Sequence, residues 1–156
     1  MFDGKTVAVV IPAYDEEQLV ASTIRSLPEF VDRIIVVDDA STDATSERAR
    51  EADERVELLR HERNQGVGAA TMTGYKRAVA EEFEVTCVMN ADGQMDPEDL
   101  ETLVRAVASG ECDYAKANRL FTGQAWQLIP RYRYLGNAVL PSSRRSPPAT
   151  GTWPTR

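Results

Sequence analysis

Four short apolar runs, separated by longer stretches with helical spacing, constrain this chain more than anything else in it. "TVAVVI" (Thr6 to Ile11), "RIIVVDD" (Arg33 to Asp39), "VELLR" (Val56 to Arg60) and the run from Val85 to Asn90 read as strands, and the first two are apolar almost throughout. A strand without polar alternation has both faces covered, the condition of a parallel sheet held between helices. The intervals supply those helices. Asp15 to Leu27 carries Leu19, Val20, Thr23, Ile24 and Leu27 at helical spacing. A polar helix runs from a cap at Ser41 or Thr42 to about Glu54. Gly66 to Glu82 follows a glycine-rich turn, and Glu98 to Ser109 stops at Gly110. Pro12 and Pro28 mark the ends of the first strand and first helix, and Asp113 to Arg119 is a candidate fifth strand. The alternation predicts an α/β fold, a three-layer α/β/α sandwich with a mostly parallel sheet.

Ligands of such sheets bind beyond the carboxyl ends of the strands. Polar clusters follow all four strands: Tyr14 to Glu17, Asp38 to Asp43, Asn64 to Gly68, and Asn90 to Asp96. All should fall on one edge. In "MNADGQMDPEDL" the oxygen-bearing side chains Asn90, Asp92, Gln94 and Asp96 alternate, which suits a hard divalent cation. Asp96 and Pro97 equally suit a helix cap and the first helical position. A nucleoside diphosphate would use the wider set. Asp38 and Asp39 would accept hydrogen bonds from a base or ribose, Tyr14 would face the base, and Asn64, Gly66 and Gly68 would permit close backbone approach. A metal at Asp92 and Gln94 would neutralise the phosphates. Asp38 and Asp39 also fit a plain strand end that caps the next helix with Ser41. His61, the single histidine, sits among charges and reads as a solvated surface residue.

A length of 156 residues allows one domain. All 25 acidic residues precede Tyr114, and only basic charges follow it. The acidic body weighs against a nucleic-acid partner, whose binding rests on neutralising phosphates. No apolar run approaches the ~18 residues of a membrane span, and the N-terminus lacks a signal-peptide pattern, so a cytoplasmic location is expected. Cys87 and Cys112 have no metal or redox spacing and are expected to be reduced and structural. "AWQLIPRYRYLGNAVL" fits either an amphipathic segment lying on a membrane surface or a helix packed on the core. Residues 141–156, rich in proline, serine and threonine, read as a disordered tail.

Taken in order, "VVIPAYDEE", "IIVVDDASTD", "NQGVGAATMTGYKRA", "VMNADGQMDPEDL" and "KANRLFTG" resemble a family 2 glycosyltransferase of the GT-A fold, in the branch similar to dolichyl-phosphate and polyprenyl-phosphate sugar synthases. The resemblance implies a nucleotide-sugar-binding domain over residues 1–140, incomplete at its C-terminal side. It implies a UDP- or GDP-sugar donor, Mg2+ or Mn2+, and a polyprenyl-phosphate acceptor met on the cytoplasmic face of a membrane. The expected reaction is metal-assisted transfer with inversion. Carried over by position, Pro12, Ala13, Tyr14, Glu16, Asp39, Asn64, Gly68, Asn90 and Ala91 are nucleotide-binding, and Asp92 and Gln94 are metal ligands. Asp92 and Arg119 are catalytic, the latter meeting phosphate. Two positions depart from the pattern: Asp15 stands where Asn is usual, and Asn90 where Asp is usual.

Relatives continue after "RYRYLGNAVL" with a segment like "LTKIASGYWHIADPQTGY", whereas this chain has "PSSRRSPPATGTWPTR". One permitted back-translation of the tail, read from two nucleotides into the Leu140 codon, gives "PVLTKIASGYWHVADP". The expectation is a frameshift close to codon 140, leaving the donor half and part of the acceptor half. A nucleotide-binding remnant without turnover is the alternative. A phospho-receiver domain is disfavoured because its acidic pair follows the first strand. A dinucleotide-binding domain is disfavoured because no G-x-G-x-x-G follows strand one.

Overall fold

The computed structural model describes residues 1–117 apart from Gln94 and Asp96, and apart from the side chain of Glu98. Four strands, β1 (Val7–Ala13), β2 (Arg33–Asp38), β3 (Val56–Arg60) and β4 (Val85–Val88), form one parallel sheet in the order β3-β2-β1-β4. The helices are α1 (Val20–Arg25), α2 (Thr45–Ala52), α3 (Val67–Ala80) and α4 (Pro97–Ala108). Every residue of β1 is buried, as its unbroken apolar run requires.

Alternate β1 and β2 residues serve two separate cores. Val7, Val9, Ile11, Ile34 and Val36 pack with Val20 and Ile24 of α1, Ala49 of α2, and Leu100 and Val104 of α4. Among the described helices, Ala8, Val10, Ile35 and Val37 face only α3, which meets them with Ala70 and Ala78. Between these two alanines lies Gly74, where a Cβ would stand 2.2 Å from Val10 Cγ1. Small residues at successive turns thus set α3 directly against the sheet.

Several expected boundaries shift. β1 runs through Pro12 to Ala13. The Val10 carbonyl accepts from Met89 on the β4 side, so the missing N–H of Pro12, two residues on, points past the end of the β4 ladder and interrupts nothing. α1 begins at Val20, after a left-handed Asp15 (φ 52°) and a loop whose Asp15, Glu16 and Glu17 N–H groups bond the side chains of Ser41, Thr45 and Asp43. Neither Ser41 nor Thr42 caps α2. Asp43 does the nearest equivalent, accepting from the Thr45 N–H at 3.0 Å. Residues 113–117 form no strand, and β4 is paired only with β1 among the described residues. The remainder of the candidate fifth strand, the amphipathic segment, the boundary at residue 140 and the tail lie outside the described residues. Both cysteines are free, and burial pushes the Cys87 thiol up to about 11, which keeps it protonated. No described helix is long and apolar enough to cross a membrane.

Candidate functional site

The loops after β1 and β2 hold each other in shape at the carboxyl edge of the sheet. Asp15 N–H donates to Ser41 Oγ (3.0 Å), Glu16 N–H to Thr45 Oγ1 (2.8 Å) and Glu17 N–H to Asp43 Oδ2 (3.1 Å). In return Asp15 Oδ1 accepts from Thr42 N–H (2.8 Å), and Glu17 Oε2 from Ala44 N–H (3.1 Å). Asp15 adopts φ 52°, in the left-handed region that Asp and Asn tolerate better than most residues. This exchange fixes Tyr14 and Glu16 at the rim.

They border a cavity of about 330 Å³, a size that suits a small ligand. Pro12, Ala13, Tyr14 and Glu16 line it from β1 and the loop beyond, and Asp39 from the end of β2. Asn64, Gly66, Val67 and Ala70 line it from the approach to α3, and Asn90, Ala91 and Asp92 from the end of β4. Of the residues carried over by resemblance, Gly68 lies on the first turn of α3, exposed and outside this lining. Gln94 and Arg119 lie outside the described residues. Val67 and Ala70 had no place in the sequence reading, whereas Gly66, read there as permitting close backbone approach, does line the cavity. The glycine is required, since φ 90° with ψ 156° is a backbone state essentially confined to glycine.

The acidic pair divides its work. Asp38 is fully buried and accepts from Ser41 N–H at 2.8 Å and from the Ser46 hydroxyl, with Arg60 Nε 3.7 Å away. It does not line the cavity, so a base or ribose contact is not its part; it is a strand-end anchor for the β2–α2 loop. Asp39 lines the cavity and holds the turn into α3. Its carboxylate accepts from Gln65 N–H at 2.9 and 3.1 Å, from Gly66 N–H at 2.6 Å, and lies 2.7 Å from His61 Nδ1. Burial alone would raise the Asp39 carboxyl, but donors on Gln65, His61 and Gly66 outweigh it and hold the group below the usual carboxylate value. His61 is therefore not a solvated residue: its side chain is 10% exposed. The signal that should have found it is position, since it follows β3 at the same edge as the other clusters.

Burial pushes the Glu16 carboxyl above its usual value, and the carboxylates of Asp92 and Asp43 push it the same way. Oxygen donors crowded with like charge are what a hard cation relieves, so the donor types at Glu16, Asn90 and Asp92 fit Mg2+ or Mn2+. Among the described residues no group of three or more His, Cys, Asp or Glu side chains is gathered to hold a metal ion.

The sequence matches the family model described as glycosyl transferase family 2 over residues 8–154. This chain belongs to glycosyl transferase family 2. The match includes part of the tail read from sequence as out of frame. The UDP-N-acetylglucosamine–dolichyl-phosphate N-acetylglucosaminyltransferase of Methanococcus voltae is 29% identical, over 87% of this chain and 61% of its own length. The dolichol-phosphate mannosyltransferase of Pyrococcus furiosus is 34% identical, over 83% of this chain and 37% of its own. Among solved structures, Mycobacterium tuberculosis glucosyl-3-phosphoglycerate synthase in complex with Mn2+, UDP-glucose and phosphoglyceric acid superposes with a TM-score of 0.56. It is 26% identical and covers 69% of this chain and 41% of its own. The fold of this family 2 chain is accordingly the GT-A glycosyltransferase fold. It spans about half the length of the curated relatives it matches.

Proposed function

We propose that this chain carries the donor-binding half of an inverting glycosyltransferase that moves a sugar from a UDP- or GDP-sugar to a polyprenyl phosphate. The observation that carries the reading is the cavity at the carboxyl edge of the sheet, with Asp39 on one side and Asn90 and Asp92 on another. Relatives named for dolichyl-phosphate sugar transfer and a structural neighbour solved with a UDP-sugar and Mn2+ support it.

In this reading Tyr14, Asp39 and Asn64 take the nucleoside, with Pro12, Ala13, Ala91 and Gly68 shaping or flanking its path. Glu16 and Asn90 meet the ribose and the diphosphate side. Asp92 and Gln94 would hold Mg2+ or Mn2+, which supplies Lewis-acid neutralisation of the diphosphate. An acceptor phosphate oxygen attacks the anomeric carbon as the bond to the nucleoside diphosphate breaks, inverting that centre. The acceptor is already anionic, so little general-base work is needed, and Arg119 balances phosphate charge. A lipid-linked acceptor places the protein peripherally on the cytoplasmic face of a membrane. The alternative is a nucleotide-binding remnant without turnover.

Titration calorimetry with UDP, GDP and CDP, with and without Mn2+, tests the donor site. Binding of UDP or GDP strengthened by Mn2+ is expected, with Asp92→Ala removing only the metal-dependent part; no binding of any nucleotide would refute the assignment. The frame change near codon 140 is tested by sequencing the gene from the Arg131 codon onward. One inserted or missing base supports it, and an intact frame refutes it.

A further inference from the structure

The cavity wall contributed by Asp39 is held from behind by a residue outside the cavity. His61 directly follows β3, and its backbone N–H continues the ladder to the Asp38 carbonyl at 2.9 Å. Its ring lies between two elements: Nδ1 is 2.7 Å from Asp39 Oδ1, and Nε2 is 2.9 Å from Thr73 Oγ1 on α3. Asp39 itself is 3% exposed. A carboxylate only accepts, so Nδ1 carries a proton and donates it to Asp39, while Nε2 pairs with the Thr73 hydroxyl. One chain of contacts, Thr73 to His61 to Asp39, therefore crosses from α3 to the end of β2.

We propose that His61 is a positioning residue that fixes the Asp39 carboxylate, and through it the Gly66 turn, in the orientation that binds the nucleoside diphosphate. The inference rests on the reading of the cavity as the donor site. Both Asp39 oxygens also accept from the turn, at Gln65 and Gly66, and that turn delivers Val67 and Ala70 to the cavity. Without the Nδ1 donor, Oδ1 keeps only the shared Gln65 N–H, and the carboxylate gains freedom to rotate away from the turn. Two features of one wall, the carboxylate and the start of α3, then lose their common reference.

Two amides separate the ring's nitrogens. His61→Asn places an N–H where Nδ1 was, and His61→Gln places its amide where Nε2 was. The full 156-residue chain and both variants are titrated with UDP and GDP, with and without Mn2+. The proposal expects His61→Asn to stay within about threefold of wild type and His61→Gln to lose about tenfold, which is ~1.4 kcal/mol. A packing role alone moves the two amides together, so equal affinities, or a weaker Asn variant, overturn the proposal while leaving the donor site standing. If the wild-type chain binds neither UDP nor GDP, the donor-site reading fails and this inference with it. If neither amide variant folds, the decision passes to the imidazole 15N spectrum of the wild-type chain, where the single histidine needs no assignment. A protonated Nδ1, shifted when UDP or GDP saturates the protein, supports the proposal. A ring with no proton on Nδ1, an averaging ring, or one indifferent to both nucleotides overturns it.

Discussion

Replacing Gly74 with alanine tests whether α3 is seated as tightly as the structure requires. An ideal Cβ at this position stands 2.2 Å from Val10 Cγ1, 2.9 Å from Cγ2 and 3.1 Å from Cβ. Carbon atoms rest at ~3.5–4.0 Å, so the nearest pair must separate by roughly 1.5 Å. Val10 cannot readily yield, because it is fully buried in the central strand and β-branched. The helix must retreat instead, opening the contacts of Ala70 and Ala78 with Ile35 and Val37. Overpacking of this kind costs about 1–3 kcal/mol, here at the upper end, against a gain of ~1 kcal/mol for alanine over glycine within a helix. The net expectation is a loss of about 2 kcal/mol, a fall in melting temperature of roughly 4–8 °C for a domain of this size. Urea unfolding should show a lower midpoint with an unchanged slope. Val10→Ala deletes both Cγ atoms and alone should cost ~2 kcal/mol through lost burial and a cavity. Combined, the two substitutions should cost at least ~1 kcal/mol less than their sum, since the second removes the obstacle met by the first. A Gly74→Ala protein as stable as wild type, or strict additivity in the double variant, would refute the reasoning.

Asp39→Asn should destabilise by about 2–4 kcal/mol at neutral pH, because the amide presents donors to the Gly66 turn where the carboxylate accepted. The native carboxyl is held low, so its stabilisation is present above the ordinary carboxylate range and fades as pH falls through the native value; melts across pH should show the variant and wild type converging in acid. Glu16 has the opposite sign. Its raised carboxyl means ionisation opposes folding, so metal-free Glu16→Gln should melt higher than wild type at neutral pH and lose that advantage below the carboxylate range. Mn2+ should narrow the neutral-pH difference; a Glu16→Gln protein that melts lower throughout would contradict the crowding. Gly66→Ala, strained at φ 90°, should cost ~1–3 kcal/mol and weaken UDP or GDP binding in calorimetry, and a variant with wild-type stability and affinity would remove the turn from the site.

The strands were legible because a sheet covered on both faces leaves runs such as "TVAVVI" and "RIIVVDD" with nowhere polar to point. Their shared edge followed from topology, and the cavity borders lie there. The start of α1 was not legible: Asp15, Glu16 and Glu17 would suit an acidic first helical turn, and the side chains that tie them into a loop, with Asp15 left-handed, lie 26–29 residues away. His61 failed for the same reason. Its neighbours in sequence are charged, while its partners Thr73 and Asp39 stand 12 and 22 residues off. Ser41 and Thr42 have the chemistry of caps, but their hydroxyls bond Asp15 of the neighbouring loop instead. Local pattern reports what surrounds a residue along the chain, and each of these residues is governed across it.

The strand order β3-β2-β1-β4 carries a consequence for the time course of assembly. β1, β2 and β3 are neighbours in both sequence and space, whereas β4 returns to the far side of β1, where Thr6 and Glu84 bond across 78 residues. Long closures of this kind are slow relative to local ones. The wall lined by Asp39 and Asn64 can therefore assemble from β1, β2 and β3 before β4 docks and brings Asn90 and Asp92 to it. The cavity is built in two instalments, and until the second arrives the far edge of β1 stays open to any extended segment that can pair with it.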